Sequence, residues 1–122
     1  MSHAIANHRN IFEQVHQRAM DISACYKKSE SELMDVFAQI ERHKVYFHYD
    51  CSSLFQYGLK VLGLSESVIY NLIAVMRKSR EVPELRAAVG SGSITLSNAR
   101  KIAPVLTKDN QDEWLKKGER AQ

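Results

Sequence analysis

The sequence contains few of the residues that interrupt helices, with two prolines and five glycines among 122 residues. Alternation of apolar and polar residues, which is typical of strands, is nearly absent from the chain. No apolar run approaches the roughly 18 residues that a membrane-spanning helix needs. These absences predict an all-α protein of six or seven helices with no membrane segment.

Cysteine is also scarce, which argues against a disulfide framework and a structural zinc site. Cys25 and Cys51 lie far apart and form no C-x-x-C pair. Two free thiols are typical of a reducing compartment. The N-terminal residues lack the long apolar segment of a secretory signal. We therefore expect a cytoplasmic protein.

The charge balance is mildly basic, with a formal net charge of +3. This value alone does not identify a nucleic-acid-binding protein. The distribution of the charges is more informative, because Arg77, Lys78 and Arg80 form one basic cluster, and Arg100 and Lys101 form another. Both clusters lie close to the motif described below.

Residues 4–24 are predicted to form an N-terminal helix with a narrow apolar seam. The seam residues follow heptad-like spacing and are Ile5, Phe12, Val15, Ala19 and Ile22. Such a helix commonly lies on the rest of its own domain, and the alternative is that it pairs with a second copy of the chain. The sequence leaves both arrangements open.

A polar stretch over residues 26–30 predicts that this helix ends there. Ser29 and Glu32 match a capping box, which indicates the start of a second helix. We accordingly divide the chain into residues 1–28, a candidate dimerisation element, and residues 29–122, a helical domain.

Further helices are predicted from capping residues and apolar spacing. They cover about 52–62 with Asp50 or Ser52 as cap, about 66–79, Pro83 to about Gly90, a helix from Thr95 or Ser97 to about Leu106, and a last helix after Thr107. The inward residues of the 52–62 helix are predicted to be Leu54, Phe55, Leu59 and Leu62. The aromatic stretch 45–49 is interpreted as a helix end and a buried turn, with base stacking as the alternative role of its rings.

The segment 54–73 has the pattern of a helix-turn-helix. Gly63 permits the positive φ of a tight turn, while Leu62 and Leu64 can fill the corner between the helices. Ser65 can cap the second helix and leave its N-terminus open, which is the end that enters the major groove of DNA.

The side chains around this motif predict its DNA contacts. Ser67, Tyr70 and Asn71 share the outward face of the second helix beside Glu66, where asparagine can bond adenine and serine can bond bases or phosphates. Arg77, Lys78 and Arg80 lie at its far end and are expected to contact phosphates.

Residues 62–102 resemble the helix-turn-helix core of ParB/KorB-type partition proteins. The resemblance rests on Leu-Gly-Leu-Ser-x-Ser-x-x-Tyr-Asn-x-Ile, Val-Pro-Glu-Leu and Gly-Ser-Ile-Thr-Leu-Ser-x-Ala-Arg-Lys-Ile. It implies a recognition helix that begins with residues 65–71 and a supporting pair of helices over 95–106. The residues of this second region implied to contact the DNA backbone are Ser97, Asn98, Arg100 and Lys101. The arginine-rich nucleotide-binding motif of that family is not visible here.

Residues 29–114 also resemble the helical region that precedes the nuclease in bacterial HNH endonucleases. This likeness rests on Ser-Leu-Phe-x-Tyr, Leu-Gly-Leu-Ser-Glu, Val-Pro-Glu, Ile-Thr-Leu-Ser and Ala-Pro-x-Leu-Thr, in that order. No cluster of His, Asn and Cys follows Trp114, as the HNH module would require. The resemblance therefore implies a helical domain standing alone or a fragment of a longer protein.

These features predict a nucleoid-associated homodimer that binds double-stranded DNA, as a transcriptional regulator or chromosome-organising factor. We expect no enzyme activity and no cofactor. We also expect no metal site, because His43 and His48 are five residues apart and share a helix face poorly. One alternative is a protein-interaction adaptor that has lost DNA binding. Another is the non-catalytic part of an HNH endonuclease.

Overall fold

A computed structural model describes the backbone of residues 3–120 and the side chains from residue 10 onward. The described part contains six α-helices and no strand, which confirms the all-α prediction. The helices are α1 (His3–His43), α2 (Leu54–Gln56), α3 (Glu66–Glu81), α4 (Pro83–Ser91), α5 (Leu96–Ile102) and α6 (Gln111–Arg120). A 3-10 helix, Val45–Tyr49, follows α1, and a π-helical turn, Tyr57–Val61, extends α2. No described helix has both the length and the apolar character that a membrane crossing demands.

Helix α1 is continuous, so the predicted break at residues 26–30 is wrong. Ser29 caps no new helix, and the backbone passes through the boundary at residue 28 without interruption. Lysine and glutamate favour helices, and Lys28 pairs with Glu32 one turn later. The Ser31 hydroxyl donates to the Lys28 carbonyl at 2.9 Å, which satisfies it inside the helix.

The two parts of α1 have different surroundings. Residues 10–29 are exposed throughout, whereas Met34, Phe37 and Ile40 are buried. Among the seam residues, Phe12 is 70% exposed and Val15 is 63% exposed. Val15, Ala19 and Ile22 are therefore not covered by the described part of the domain, as the commoner arrangement would require. The side chain of Ile5 lies outside the described residues.

Helix α3 forms the centre of the folded body. Its buried residues Ile69, Leu72 and Val75 contact a core to which α1, α4 and α5 each contribute. Their spacing of three residues places them on one face of the helix. The other face of α3 is thereby left toward the surface.

Side-chain caps define the starts of α2, α3 and α5. Ser65 and Thr95 accept hydrogen bonds from Val68 N at 3.3 Å and Asn98 N at 3.1 Å, as predicted. The cap of α2 is Ser53, whose hydroxyl accepts from Gln56 N, and not Asp50 or Ser52. The helix predicted over about 52–62 is therefore shorter at its start, and its second half is π-helical.

Two other expectations about helix ends and turns are corrected. Helix α5 ends at Ile102, before Pro104, and does not continue to Leu106 as predicted. Thr107 exchanges hydrogen bonds with Asn110 in a turn, and α6 begins only at Gln111. The 45–49 turn is not buried, because Phe47 and Tyr49 are both more than half exposed. Left-handed residues, Lys44 and Asp50, flank this short helix, whose first two residues, Val45 and Tyr46, still pack against the core.

Candidate nucleic-acid interface

Helix α2 approaches α3 closely through a glycine. A Cβ atom added at Gly58 would lie 3.1 Å from Ile69 Cδ1, so only glycine allows this approach without displacement. Gly63 adopts the predicted positive φ of 69°, and Leu64 N donates to Gly58 O at 3.0 Å across the turn. The two helices and their turn are therefore held by short local contacts.

The corner between α2 and α3 is filled less completely than predicted. Leu64 is half-buried, but Leu62 is 40% exposed, and Leu59 is also exposed. The π-helical turn causes this difference, because it rotates the residues after Gln56 relative to an α-helix. Apolar side chains therefore reach the surface next to the start of α3.

The first turn of α3 is open to solvent. Ser65, Glu66 and Ser67 are exposed, and the hydroxyls of Ser65 and Ser67 lie 3.5 Å apart. The backbone N–H groups of a helix start favour an anion, and Glu66 already supplies an acidic side chain in this first turn. The hydroxyls are thus the neutral hydrogen-bonding groups of this turn.

Tyr70 and Asn71 follow one turn later with unequal exposure. Tyr70 is 54% exposed, and its ring centroid lies 5.0 Å from that of Phe55 in α2. This contact holds the tyrosine ring on the outer surface. Asn71 is half-buried, so it presents less of its amide than the sequence predicts.

The far end of α3 is tied to α1 by ion pairs. Arg77 Nη2 lies 2.6 Å from Glu41 Oε2, and Arg80 Nη1 lies 2.9 Å from Glu41 Oε1. The hydrogen bond from Arg77 lowers the pKa of Glu41, with its positive charge and the contacts from Arg80 adding to the effect. Both arginines were expected to contact phosphate, yet each already has an acidic partner.

Lys78 is also engaged within the chain. Its Nζ lies 3.0 Å from Glu81 Oε2 and donates to the Leu106 carbonyl at 3.1 Å. Only a fifth of this side chain is exposed. The lysine therefore joins α3 to the segment that follows α5. A phosphate contact would require it to leave these partners.

The second predicted region, at α5, has more accessible cations. Ser97, Arg100 and Lys101 are exposed, while half-buried Asn98 donates weakly to Gly118 O at 3.5 Å. The side chains of Arg100 and Lys101 make no hydrogen bond or ion pair with the described part of the chain. Arg100 also lines an open groove of about 370 Å³ between α3 and α5. The other residues that line this groove are Ala74, Arg77, Lys78, Glu81, Ala103 and Pro104.

Sequence reasoning missed one basic residue and the tertiary ion pairs that link α1 to α3 and α4. Lys60 is exposed on the π-helical turn directly before the corner, and its place in the first helix of the motif was the available signal. Arg86 donates two hydrogen bonds of 2.7 Å to Asp35, which links α4 to α1. No sequence signal identifies that pair, because the partners are 51 residues apart.

The described residues contain no group of three or more His, Cys, Asp and Glu side chains arranged to hold a metal ion. No protein-family model, curated protein or solved structure matches the chain. The resemblances to partition proteins and HNH-associated domains therefore stay predictions.

Proposed function

We propose that this protein binds double-stranded DNA through α2, the turn at Gly63 and α3 acting as a helix-turn-helix. The observation that carries the proposal is the uncovered first half of α3, where Ser67 and Tyr70 are exposed. A recognition helix must present this half, because its N-terminal residues contact base edges in the major groove. The protein would act as a nucleoid-associated regulator or chromosome-organising factor, with no catalytic step and no cofactor.

The contacts divide into base readers and phosphate binders. Ser67, Asn71 and Tyr70 lie where base edges would meet α3, with Ser65 and Glu66 at the helix start. Arg100 and Lys101 are the phosphate-binding candidates that need no rearrangement, with Ser97 and Asn98 beside them. Arg77, Lys78 and Arg80 must exchange their present partners for phosphate.

A homodimer is part of the proposal, because a net charge of +3 gives one copy few phosphate contacts. Two linked copies gain from a high effective concentration at paired half-sites. The exposed N-terminal half of α1 offers the surface for pairing.

Selection of bound sequences from a random pool of DNA duplexes tests this function. We expect an enriched motif with wild-type protein and a flatter preference with Asn71→Ala, since one lost base contact costs about 1–3 kcal/mol at the preferred site. Lys116→Ala, a change of an exposed residue in α6, is the control and should keep the motif. Uniform, salt-sensitive retention would indicate an architectural protein.

The adaptor alternative is favoured by a different observation, the apolar surface around the corner of α2 and α3. The exposed members of this corner patch are Leu59, Val61, Leu62 and Tyr70. Exposed apolar residues grouped in one place are typical of protein-binding surfaces. If folded protein retains no duplex from the pool, this patch is the better candidate for the functional surface.

A further inference from the structure

The N-terminal arm, defined as residues 10–29 of α1, carries a stripe of exposed apolar side chains. Val15, Ile22 and Tyr26 are each more than half exposed, and Phe12 and Ala19 continue the same spacing. Helices in proteins take most of their stability from the packing of an apolar face rather than from helix propensity. The arm therefore needs an occupant for its stripe.

The stripe lies on the same side of α1 as the core-facing residues. At about 100° per residue, Phe12, Ala19 and Tyr26 project within about 20° of the direction of Phe37. Phe37 is completely buried against the body, which consists of α2–α6 and the C-terminal third of α1. One apolar face thus runs along α1, covered by the body at one end and open at the other.

A groove marks where the body begins to cover this face. Tyr26 and Glu30 line one side, and Val89 and Ile94 line the other, enclosing about 260 Å³. The body therefore stands on the stripe side of α1 from about this point to the end of the helix. Any helix that packs along the stripe meets the body there.

This position decides which orientation of two arms is sterically allowed. In a parallel pair, both bodies would lie at the same end and on the facing sides of the two helices, so they would overlap. In an antiparallel pair, the two bodies lie at opposite ends of the paired arms, and only the start of each α1 reaches the body of the other copy. We infer that two copies pair their arms antiparallel through these stripes, with the two helix-turn-helix bodies at opposite ends; this rests on the homodimer of the proposed function.

Heptad spacing supplies a register for this pairing. Antiparallel helices pack an a position of one chain against a d position of the other. With Phe12 as a and Val15 as d, Phe12 faces Ile22 of the second copy, and Val15 faces Ala19 of the second copy. The two copies then cross near residue 17 of each chain.

The apolar area is sufficient for a specific dimer. Five exposed side chains of the stripe and its edge contribute roughly 100 Å² each, about 500 Å² per copy and about 1,000 Å² in total. These residues are Ile11, Phe12, Val15, Ile22 and Tyr26. The total reaches the lower limit expected of a biological interface.

Distances between spin labels distinguish the orientations in the full chain without DNA. Labels are attached at Gln17→Cys or Lys28→Cys, positions that face away from the stripe, in a background of Cys25→Ser and Cys51→Ala. Antiparallel pairing predicts about 20 Å between the two copies at position 17 and about 40 Å at position 28, because each residue adds 1.5 Å of axial rise. Parallel pairing predicts similar distances at both positions.

Light scattering with a matched pair of variants tests the stripe itself. Ile22→Glu should convert the dimer to a monomer, while Ala24→Glu, on the outer face of the same turn, should leave it dimeric. Similar spin-label distances at positions 17 and 28 would overturn the antiparallel arrangement and leave the homodimer intact. A monomeric wild-type protein would overturn both, while duplex selection would still test DNA binding by single copies.

Discussion

At the scale of single residues, Glu41 determines how many cations at the end of α3 would be available to the proposed ligand. Its two carboxylate oxygens bind Arg77 and Arg80, which are the basic residues at the end of α3. If α3 binds DNA as proposed, phosphate and this carboxylate would compete for the same guanidinium groups. Glu41 would then act as an internal competitor of the proposed ligand.

Glu41→Gln is therefore expected to raise affinity for duplex DNA. Freeing the arginines should strengthen binding by roughly two- to fivefold at low salt, the scale of an exposed ion pair. Fluorescence anisotropy with a labelled duplex measures the change. Glu32→Gln is the matched control, because it adds the same charge to α1 but removes only the exposed pair with Lys28. Equal effects of the two substitutions would show that Arg77 and Arg80 do not contact DNA.

Asp35 gives a prediction about stability and pH. Its two hydrogen bonds from Arg86 lower the pKa of the carboxyl group below its ordinary value. The folded-state pKa is lower than the unfolded-state pKa of about 4, so the contact adds to the free energy of unfolding at pH values above about 4. This contribution is lost as the pH falls through the folded-state pKa. Because the pair is partly exposed, the contribution at pH 7 is about 0.5–1 kcal/mol.

The contribution of the Asp35–Arg86 pair is measured by urea unfolding of wild-type protein and Asp35→Asn at pH 7 and near pH 3. We expect the variant to be less stable by about 0.5–1 kcal/mol at pH 7 and the difference to shrink near pH 3. Glu41 is common to both proteins, so its own titration cancels in the comparison. An equal difference at both pH values would mean that the charge of Asp35 does not carry the contact.

At the scale of elements, the close approach of α2 to α3 depends on Gly58. Gly58→Ala should place a methyl group 3.1 Å from two atoms of Ile69, which is fully buried and cannot move freely. We expect a loss of about 1–3 kcal/mol in the free energy of unfolding, the usual cost of overpacking. Chemical denaturation measures it.

A double-mutant cycle combines Gly58→Ala with Ile69→Val, which removes the nearest methyl group of Ile69. The double variant should lose less stability than the sum of the two single variants, because the added methyl group then has space. Strict additivity would show that the contact between Gly58 and Ile69 does not limit how closely α2 and α3 approach.

Local signals predicted some elements well and failed where tertiary contacts decide. Ser65 and Thr95 cap their helices as expected, because a cap needs only the next three residues. Ser29 looked like a cap, but the lysines and glutamates around it are good helix formers, and α1 continues. The pairing of Glu41 with Arg77 spans 36 residues and leaves no local pattern.

At the scale of the whole molecule, the described structure combines a helical body with a long, exposed arm. The body presents the start of α3 and the cations of α5 on its surface, and the arm presents an apolar stripe. Antiparallel pairing would separate two DNA-reading surfaces and place them at opposite ends of the dimer. Such a dimer is suited to two separated half-sites or to two duplexes.

The proposed function depends on α3 presenting the surface that reads duplex DNA. The most direct test is to follow backbone amide chemical shifts while a duplex recovered from the random pool is added. We expect shifts at residues 65–71 and around Arg100 and Lys101, with little change in α6. Shifts concentrated in α6, or none at residues 65–71 while the duplex is bound, would contradict it.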